Sequence, residues 1–122
     1  MKLAALFSGG KDSTYAIHLA KKLSHSVDVL LTLYPHSDES HLLHHPNIKF
    51  TTLQSESMGI PQLIEEIPSV ENETEFKKLE KLITLAKENH SIEGIVHGGI
   101  LSKYQKDNFS LICQKNDLEI IS

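Results

Sequence analysis

The chain has 122 residues, of which 39% are hydrophobic, 23% charged and 6% aromatic; this balance suits one compact domain and excludes collagen-like, disordered and coiled-coil proteins. Its 12 basic residues face 16 acidic ones, and the net charge of -4 argues against a broad surface for nucleic acid or anionic membranes. The single cysteine, Cys113, cannot form an internal disulfide, and the apolar run at residues 3–7 is too short for a signal peptide or a membrane span. We therefore expect a cytoplasmic protein.

Strands and helices alternate in the first half of the sequence. The continuous apolar run at residues 3–7 predicts a strand buried on both faces, and the spacing of apolar residues from Ser13 onwards predicts a helix. Residues 27–34 predict a second strand, and the alternation at 48–53 predicts a third. Residues 35–47, rich in histidine and without periodicity, predict a loop between them.

The second half continues the alternation. Residues 54–61 predict a short turn or helix, and residues 62–67 could form a brief further strand. An amphipathic helix follows around residues 76–86, then a buried strand at 94–99, a helix from the N-cap Ser102 to about Lys115, and a strand at 118–121. This order predicts a single α/β domain over residues 1–122, with a parallel sheet, helices on both faces and a ligand beyond the carboxyl ends of the strands.

A glycine-containing hexapeptide connects the first strand to the first helix. It consists of Ser8, Gly9, Gly10, Lys11, Asp12 and Ser13. At such a junction free backbone N–H groups and a helix N-terminus favour an anion, and the two glycines let the backbone approach phosphate oxygens. The lysine supplies positive charge, the two serines can donate hydrogen bonds, and the Asp12 carboxylate could hold Mg²⁺. The alternative is a glycine turn followed by an exposed lysine.

The hexapeptide matches neither the Walker A motif nor the dinucleotide-binding fingerprint. It resembles the SGGKDS loop of the PP-loop ATP pyrophosphatases, the group that includes GMP synthetase, asparagine synthetase and tRNA-modifying adenylating enzymes. This resemblance implies a Rossmann-like fold of the adenine nucleotide alpha hydrolase type, with ATP and Mg²⁺ as cofactors.

Further segments resemble the diphthine-ammonia ligase family within this group, and the similarity covers essentially the whole chain. These segments are Glu39-Ser40 with His44, Pro46 and Asn47; Gln54, Glu56 and Met58-Gly59-Ile60-Pro61; Gly98; and Ser102-Lys103-Tyr104-Gln105. Membership would imply an ATP-dependent amidation. Diphthine, a modified histidine of elongation factor 2, would be adenylated and then react with ammonia to give diphthamide, AMP and pyrophosphate.

The resemblance also implies site residues. Lys11, Asp12, Tyr104 and Gln105 would be catalytic, with Asp12 as the metal ligand. The nucleotide would contact the hexapeptide together with Gly98, Gly99 and Ser102.

Other interpretations remain open for some of these residues. The glycine pair could equally be a tight turn, and Tyr104 a half-buried core aromatic. Relatives usually carry arginines where this chain has Lys106 and Asn108, and a lysine cannot reproduce the bidentate grip of an arginine.

Three further features have weaker interpretations. Residues 32–34, at the end of the second strand, could offer backbone groups to adenosine. Glu39, His41, His44 and His45 could bind a metal, but the resemblance indicates a substrate-facing loop and the other alternative is a solvated one. Cys113 falls on the apolar side of its helix, and we expect it to be a core residue.

Family members usually continue past the last strand into a second half that completes the acceptor site, so we expect this chain to supply only the nucleotide half. Its last strand would then be partly uncovered, which predicts a homo-oligomer or dependence on a missing C-terminal partner. Two alternatives remain: a non-catalytic ATP-binding module, and a tRNA-modifying adenylating enzyme. The tRNA-modifying enzyme has weaker support, because this sequence shows no basic stripe, zinc ribbon or paired cysteines.

Overall fold

The computed structural model describes residues 1–7, 11–35, 48–67, 72–98 and 103–121. The strands are β1 (Lys2–Leu6), β2 (Ser26–Pro35), β3 (Gln62–Ile67), β4 (Gly94–Val96) and β5 (Glu119–Ile121). The helices are α1 (Lys11–Lys22), α2 (Ile48–Met58), α3 (Asn72–His90) and α4 (Lys103–Lys115). All strand pairs are parallel, in the order β3-β2-β1-β4-β5, which confirms the predicted α/β fold.

The helices divide between the two faces of the sheet. The strand order runs outward from β1 to β3 on one side and from β4 to β5 on the other. Right-handed crossovers then place α1 and α2 on one face and α3 and α4 on the opposite face. The buried clusters agree with this division, since one contains residues of α3 and α4 and the other residues of α1.

The α3/α4 face holds the larger apolar cluster. Helix residues from α3 and α4 pack on alternate residues of β1, β2 and β4 and on the segments that lead into β4 and β5. The buried members are Ala4, Val29, Leu31, Leu33, Leu82, Ile83, Ala86, Ile92, Ile95, Phe109, Ile112, Cys113 and Leu118. Cys113 is 1% exposed, and burial raises the pKa of its thiol to about 12, so the expectation of a core cysteine is confirmed.

The α1/α2 face holds a smaller cluster and is less completely covered. Its buried members are Leu3, Ala5, Phe7, Ala16, Ile17, Ala20, Val27, Leu30, Ile60 and Val96, with Met58 and Ile121 packed against them. On the outer side of α1, Tyr15 is 65% exposed and Leu23 is 60% exposed. An apolar surface therefore remains accessible beside α1.

Residues 48–53 form the first half of α2, so the prediction of a third strand there is wrong. The helix buries Thr51 and Ser55, one turn apart, and leaves Leu53 59% exposed. Because hydroxyl residues occupy the buried side and a leucine the solvent side, the usual helical spacing of apolar residues is absent. The sheet takes its third strand from residues 62–67, the segment for which we had expected only a brief addition.

Left-handed residues end the helices and turn the chain towards the next strand. Ser24, Ser91 and Asp117 have φ values of 69°, 53° and 54°, and Gly59 has a φ of 69°. After α1, α2 and α4 the amide of the residue that follows the left-handed one donates back across the turn to a helix carbonyl, as in His25 N to Ala20 O and Leu118 N to Cys113 O. Serine and aspartate at these positions explain why the sequence gives few glycine signals for helix ends.

Candidate functional site

The strand order reverses between β1 and β4, and the carboxyl ends of these two strands therefore form the crevice in which open α/β sheets bind ligands. Phe7 follows β1, and His97 and Gly98 follow β4. Helix α1 begins at Lys11, only a few residues after Phe7. Its N-terminal end, where a helix presents backbone N–H groups and a positive partial charge, therefore lies next to this crevice.

The structure locates part of the predicted hexapeptide. Ser8, Gly9 and Gly10 lie outside the described residues. Lys11 and Asp12 form the first turn of α1, two residues earlier than the predicted start at Ser13, but their side chains are outside the described part. The Ser13 side chain is buried in that turn. The position of the segment at a strand-to-helix junction is as expected; its contacts to phosphate or metal stay a prediction.

The second predicted group of residues lies after β4. Gly98 is half-buried at the end of this strand, whereas Gly99 and Ser102 lie outside the described residues. Tyr104 and Gln105 belong to the first turn of α4, with side chains outside the described part. The helix begins at Lys103, in agreement with the predicted boundary.

A groove brings Gly98 next to α1. It runs between the outer side of α1 and the ends of β4 and β5. Its lining residues are Tyr15, Ala16, Leu19, Ala20, Leu23, Val96, His97, Gly98 and Ile121. Helix α1, which follows β1, and Gly98, which follows β4, therefore line one surface, and this surface continues into the exposed apolar side of α1.

His97 is a residue that the sequence analysis did not single out. Its backbone N–H donates to the carbonyl of Ile121 at 3.1 Å, and its ring stands edge-on to Phe109 with 5.4 Å between ring centroids. The ring is half-buried at the carboxyl end of β4, beside Gly98. The available signal was its place in the sequence, at the end of a buried strand and just before a glycine pair.

A hydrogen-bond network lies at the carboxyl end of β1, on the α1/α2 face. Thr32 donates from its hydroxyl to the carbonyl of Phe7 at 2.9 Å. Gln62 donates from Nε2 to Thr32 Oγ1 at 2.8 Å and to Thr51 Oγ1 at 3.2 Å. Thr32 and Thr51 are fully buried. These residues connect β2, β3 and α2 to the segment that leads into the hexapeptide.

Residues 32–34 were expected to end the second strand and to offer backbone groups to adenosine. In the structure β2 continues to Pro35, and residues 32–34 pair with Ile64, Glu65 and Glu66 of β3. They extend past Leu31, which pairs with Leu6 at the end of β1, and a contact of their backbone groups with adenosine stays a prediction.

The described part of the chain contains neither a cluster of metal ligands nor a helix suited to span a membrane. No group of three or more His, Cys, Asp or Glu side chains there could hold a metal ion. The residues of the histidine-rich loop, Glu39 to His45, lie outside it. None of the helices over the described ranges is both long and apolar enough to cross a membrane.

Comparison with known proteins identifies the family to which the chain is similar. A family model described as the diphthamide synthase N-terminal domain matches residues 1–120. The chain is 32% identical to a mouse protein named diphthine--ammonia ligase, over 98% of this chain and 51% of the mouse protein. The human protein of that name is 31% identical with the same coverage, and the Saccharomyces cerevisiae protein is 28% identical over 100% of this chain and 20% of its own length. The chain thus spans about half the length of these mammalian relatives.

Proposed function

Since the chain belongs to the diphthamide synthase N-terminal domain family, we propose that it is the ATP-binding half of a diphthine-ammonia ligase. The observation that carries the proposal is the position of the hexapeptide, residues 8–13, which follows β1 in the chain and includes the start of α1, at the point where the strand order reverses. A polyphosphate bound there would face the N-terminus of α1. The acceptor would be diphthine on elongation factor 2, which places the reaction in the cytoplasm.

The reaction needs ATP because a carboxylate is a poor electrophile. One carboxylate oxygen attacks the α-phosphorus of ATP, the bond to the β-phosphate oxygen breaks, and pyrophosphate leaves. Ammonia then attacks the carbonyl carbon of the acyl adenylate, loses a proton and displaces AMP. Negative charge grows on the departing pyrophosphate, so the task of the protein is to supply preorganised donors and positive charge at that point.

The residues after β1 have the chemistry for this task. Backbone N–H groups at the start of α1 and the Lys11 ammonium would hold the phosphates, and the serines of the hexapeptide would donate to them. Asp12 is the carboxylate in this segment that would hold Mg²⁺, which would neutralise charge on the leaving pyrophosphate. Gly98, Gly99 and Ser102 would contact the nucleotide, and Tyr104 and Gln105 would lie near the acyl carbon at the same rim.

We also propose that the apolar groove beside α1 receives a polypeptide equivalent to the second half of the relatives. The mammalian relatives are about twice as long as this chain, and the matched region is their N-terminal domain. Ile121 of β5 lines the groove together with Leu19 and Leu23, which are 39% and 60% exposed. Such an apolar surface at an edge strand is typical of a surface that is covered in the assembled protein.

Removing the charge at the start of α1 tests the nucleotide site. Lys11→Ala is expected to weaken binding of Mg²⁺ and α,β-methylene-ATP roughly 10- to 100-fold, the range for a lost charge-assisted hydrogen bond. The melting temperature should stay unchanged. Lys22→Ala, at the other end of the same helix, is the matched control and should bind as tightly as the wild type. A large loss of stability without a specific loss of binding would contradict the proposal.

Turnover separates the ligase from the alternatives. Elongation factor 2 that carries diphthine, with ATP, Mg²⁺ and ammonium, should release pyrophosphate when a polypeptide equivalent to the relatives' second half is present. Nucleotide binding without any turnover would favour a non-catalytic ATP-binding module. Salt-sensitive tRNA binding would favour a tRNA-modifying enzyme.

A charged residue in the groove tests the docking proposal. Leu23→Glu should abolish binding of the second half of a relative, measured by sedimentation velocity on the mixture. Leu53→Glu is the control, because Leu53 is a 59% exposed leucine of α2 that does not line the groove. A wild-type chain that is dimeric, and a Leu23→Glu chain that is monomeric, would instead identify a second copy as the occupant.

A further inference from the structure

The carbonyl of Phe7 is held by a side chain of the neighbouring strand. Strand β1 ends at Leu6, and the N–H of Phe7 still donates to the carbonyl of Leu31 in β2 at 2.8 Å. Its carbonyl accepts from the hydroxyl of Thr32 at 2.9 Å. Phe7 and Thr32 are both fully buried. Strand β2 therefore fixes both the backbone N–H and the backbone carbonyl of Phe7, and it holds the carbonyl through the Thr32 side chain.

This carbonyl belongs to the peptide bond that leads into the hexapeptide. A peptide bond is planar, so fixing the carbonyl of Phe7 also fixes the plane in which the chain enters residue 8. A phosphate-binding loop depends on the directions of its backbone N–H groups, and small errors in their orientation weaken the contacts. The Thr32 hydroxyl is thus in a position to control where the loop starts.

Thr32 is itself held in place. Its hydroxyl has one proton, which it gives to Phe7, and it accepts a hydrogen bond from Gln62 Nε2 at 2.8 Å. Gln62 also donates to Thr51 Oγ1 at 3.2 Å, and its Oε1 accepts from Thr52 at 3.4 Å. Because Gln62 opens β3 and Thr51 and Thr52 belong to α2, two elements, β3 and α2, fix the orientation of one hydroxyl of β2.

We propose that Thr32 is a positioning residue for the phosphate loop, with Gln62 as the residue that orients it. Their hydrogen bonds hold the Phe7 carbonyl and so preset the exit of β1 for the binding of a polyphosphate. The inference rests on the proposed nucleotide function, and it gives the polar residues of β2, β3 and α2 a role in that function. None of these residues needs to touch the ligand.

The test compares nucleotide affinity with stability. Thr32→Val keeps the shape of the side chain but removes the hydroxyl, and it should raise the Kd for α,β-methylene-ATP with Mg²⁺ about tenfold, the equivalent of one hydrogen bond. Thr32→Ser keeps the hydroxyl and should restore binding to within about twofold of the wild type. Gln62→Leu, at a half-buried position, should give a smaller rise of about threefold and provides a second variant if Thr32→Val folds poorly.

Ser55→Ala is the matched control. Ser55 is also buried, and its hydroxyl donates to a backbone carbonyl, that of Ile60, in the turn between α2 and β3. Its removal should lower the melting temperature by an amount similar to Thr32→Val and leave the Kd for the nucleotide unchanged. If the hydrogen bonds of Thr32 served stability alone, Thr32→Val and Ser55→Ala would have the same affinity for the ATP analogue.

The outcomes distinguish the proposed nucleotide function from the positioning role of Thr32. A wild-type chain that binds neither pyrophosphate nor the ATP analogue would overturn the proposed function and this inference with it. Wild-type binding that is matched by folded Thr32→Val and Gln62→Leu chains would overturn the inference alone. The positioning role of Thr32 is supported if the Kd rises for Thr32→Val, returns close to the wild-type value for Thr32→Ser and is unchanged for Ser55→Ala.

Discussion

The two faces of the sheet bury different kinds of side chain. Among the described residues, the polar side chains that are buried belong to α1, α2 or the side of β2 that faces them; they are Ser13, Thr32, Thr51 and Ser55. The cluster on the α3/α4 face is entirely apolar and includes the sulfur of Cys113. Large apolar side chains are exposed on α1, where Tyr15 and Leu23 are 65% and 60% exposed.

This difference separates stability from function within one small domain. Apolar packing is non-directional and stabilises the sheet whatever is bound, whereas buried hydrogen bonds fix the direction of particular backbone groups. The segment that follows β1 is attached to the side with the hydrogen bonds. We therefore expect substitutions on the α3/α4 face to change the free energy of unfolding, and substitutions of the residues that hold the Phe7 carbonyl, Thr32 and Gln62, to change nucleotide binding as well.

The thiol of Cys113 gives the largest expected contrast. It is 1% exposed in α4, and burial raises its pKa to about 12, so the native chain contains very little thiolate at pH 8. Reaction with a thiol-specific disulfide reagent should be on the order of 1,000-fold slower or more in the native state than in concentrated urea. The chain has one cysteine, so the signal comes from one site. Rapid native labelling would show that this face opens readily.

Truncation in the same helix should produce the largest loss of stability. Ile112 is fully buried, whereas its neighbour Leu111 is 49% exposed. Ile112→Ala should reduce the free energy of unfolding by about 2–5 kcal/mol, because it combines lost burial with a cavity. Leu111→Ala is the control, with an expected change of about 0.5 kcal/mol or less. Urea denaturation measures both. An equal loss of free energy of unfolding for Ile112→Ala and Leu111→Ala would mean that α4 does not bury Ile112 against the sheet.

The hydroxyl of Ser55 should have an intermediate effect. It lies on the buried side of α2 and donates to the carbonyl of Ile60, at the turn into β3. Ser55→Ala should cost about 1–2 kcal/mol of stability, because a buried carbonyl loses its partner. Ser57, two residues further on and exposed, is the control, and Ser57→Ala should change the free energy of unfolding very little. A neutral Ser55→Ala would argue that polar burial on the α1/α2 face carries no stability.

The sequence predicted the α3/α4 face better than the α1/α2 face. The amphipathic spacing of α3 and the boundaries of α4 were visible because their buried sides are apolar. The first half of α2 was mistaken for a strand, whereas residues 54–61 were expected to form a short turn or helix; the buried side of this helix presents the hydroxyls of Thr51 and Ser55. Local patterns of hydrophobicity have no signal for a hydroxyl that is buried because it has a partner.

The place of the hexapeptide after β1 could be predicted, but the hydrogen bonds that hold the neighbouring Phe7 could not. The hexapeptide carries its own short-range signal, since glycines, a lysine and hydroxyls in sequence suit a polyphosphate. Thr32 and Phe7 are 25 positions apart, and Thr32 and Gln62 are 30 positions apart. Such pairs are brought together only by the pairing of β1, β2 and β3, so one sequence alone gives no reason to connect them.

The smallest expected effect is a pH dependence at the edge of the α3/α4 face. Glu65 of β3 accepts from Lys78 Nζ at 2.9 Å and from Lys81 Nζ at 3.3 Å. The hydrogen bond from Lys78 is the main cause that lowers the pKa of Glu65 below its usual value of 4.5, with Lys81 adding to it. A carboxylate with a lowered pKa in the folded state stabilises the protein above its unfolded pKa, and this contribution disappears as the pH falls through the folded value.

The ion pairs of Glu65 should therefore lose their effect below about pH 4.5, so that part of the acid sensitivity of the wild type comes from this residue. Glu65→Gln should cost less than about 1 kcal/mol at pH 7, because the Lys81 side chain is 57% exposed, and it should flatten the stability curve between about pH 5 and 3. Urea denaturation across this pH range measures the effect. If Glu65→Gln is as acid-sensitive as the wild type, the ion pairs of Glu65 with Lys78 and Lys81 contribute no stability, and apolar packing alone holds α3 against this edge of the sheet.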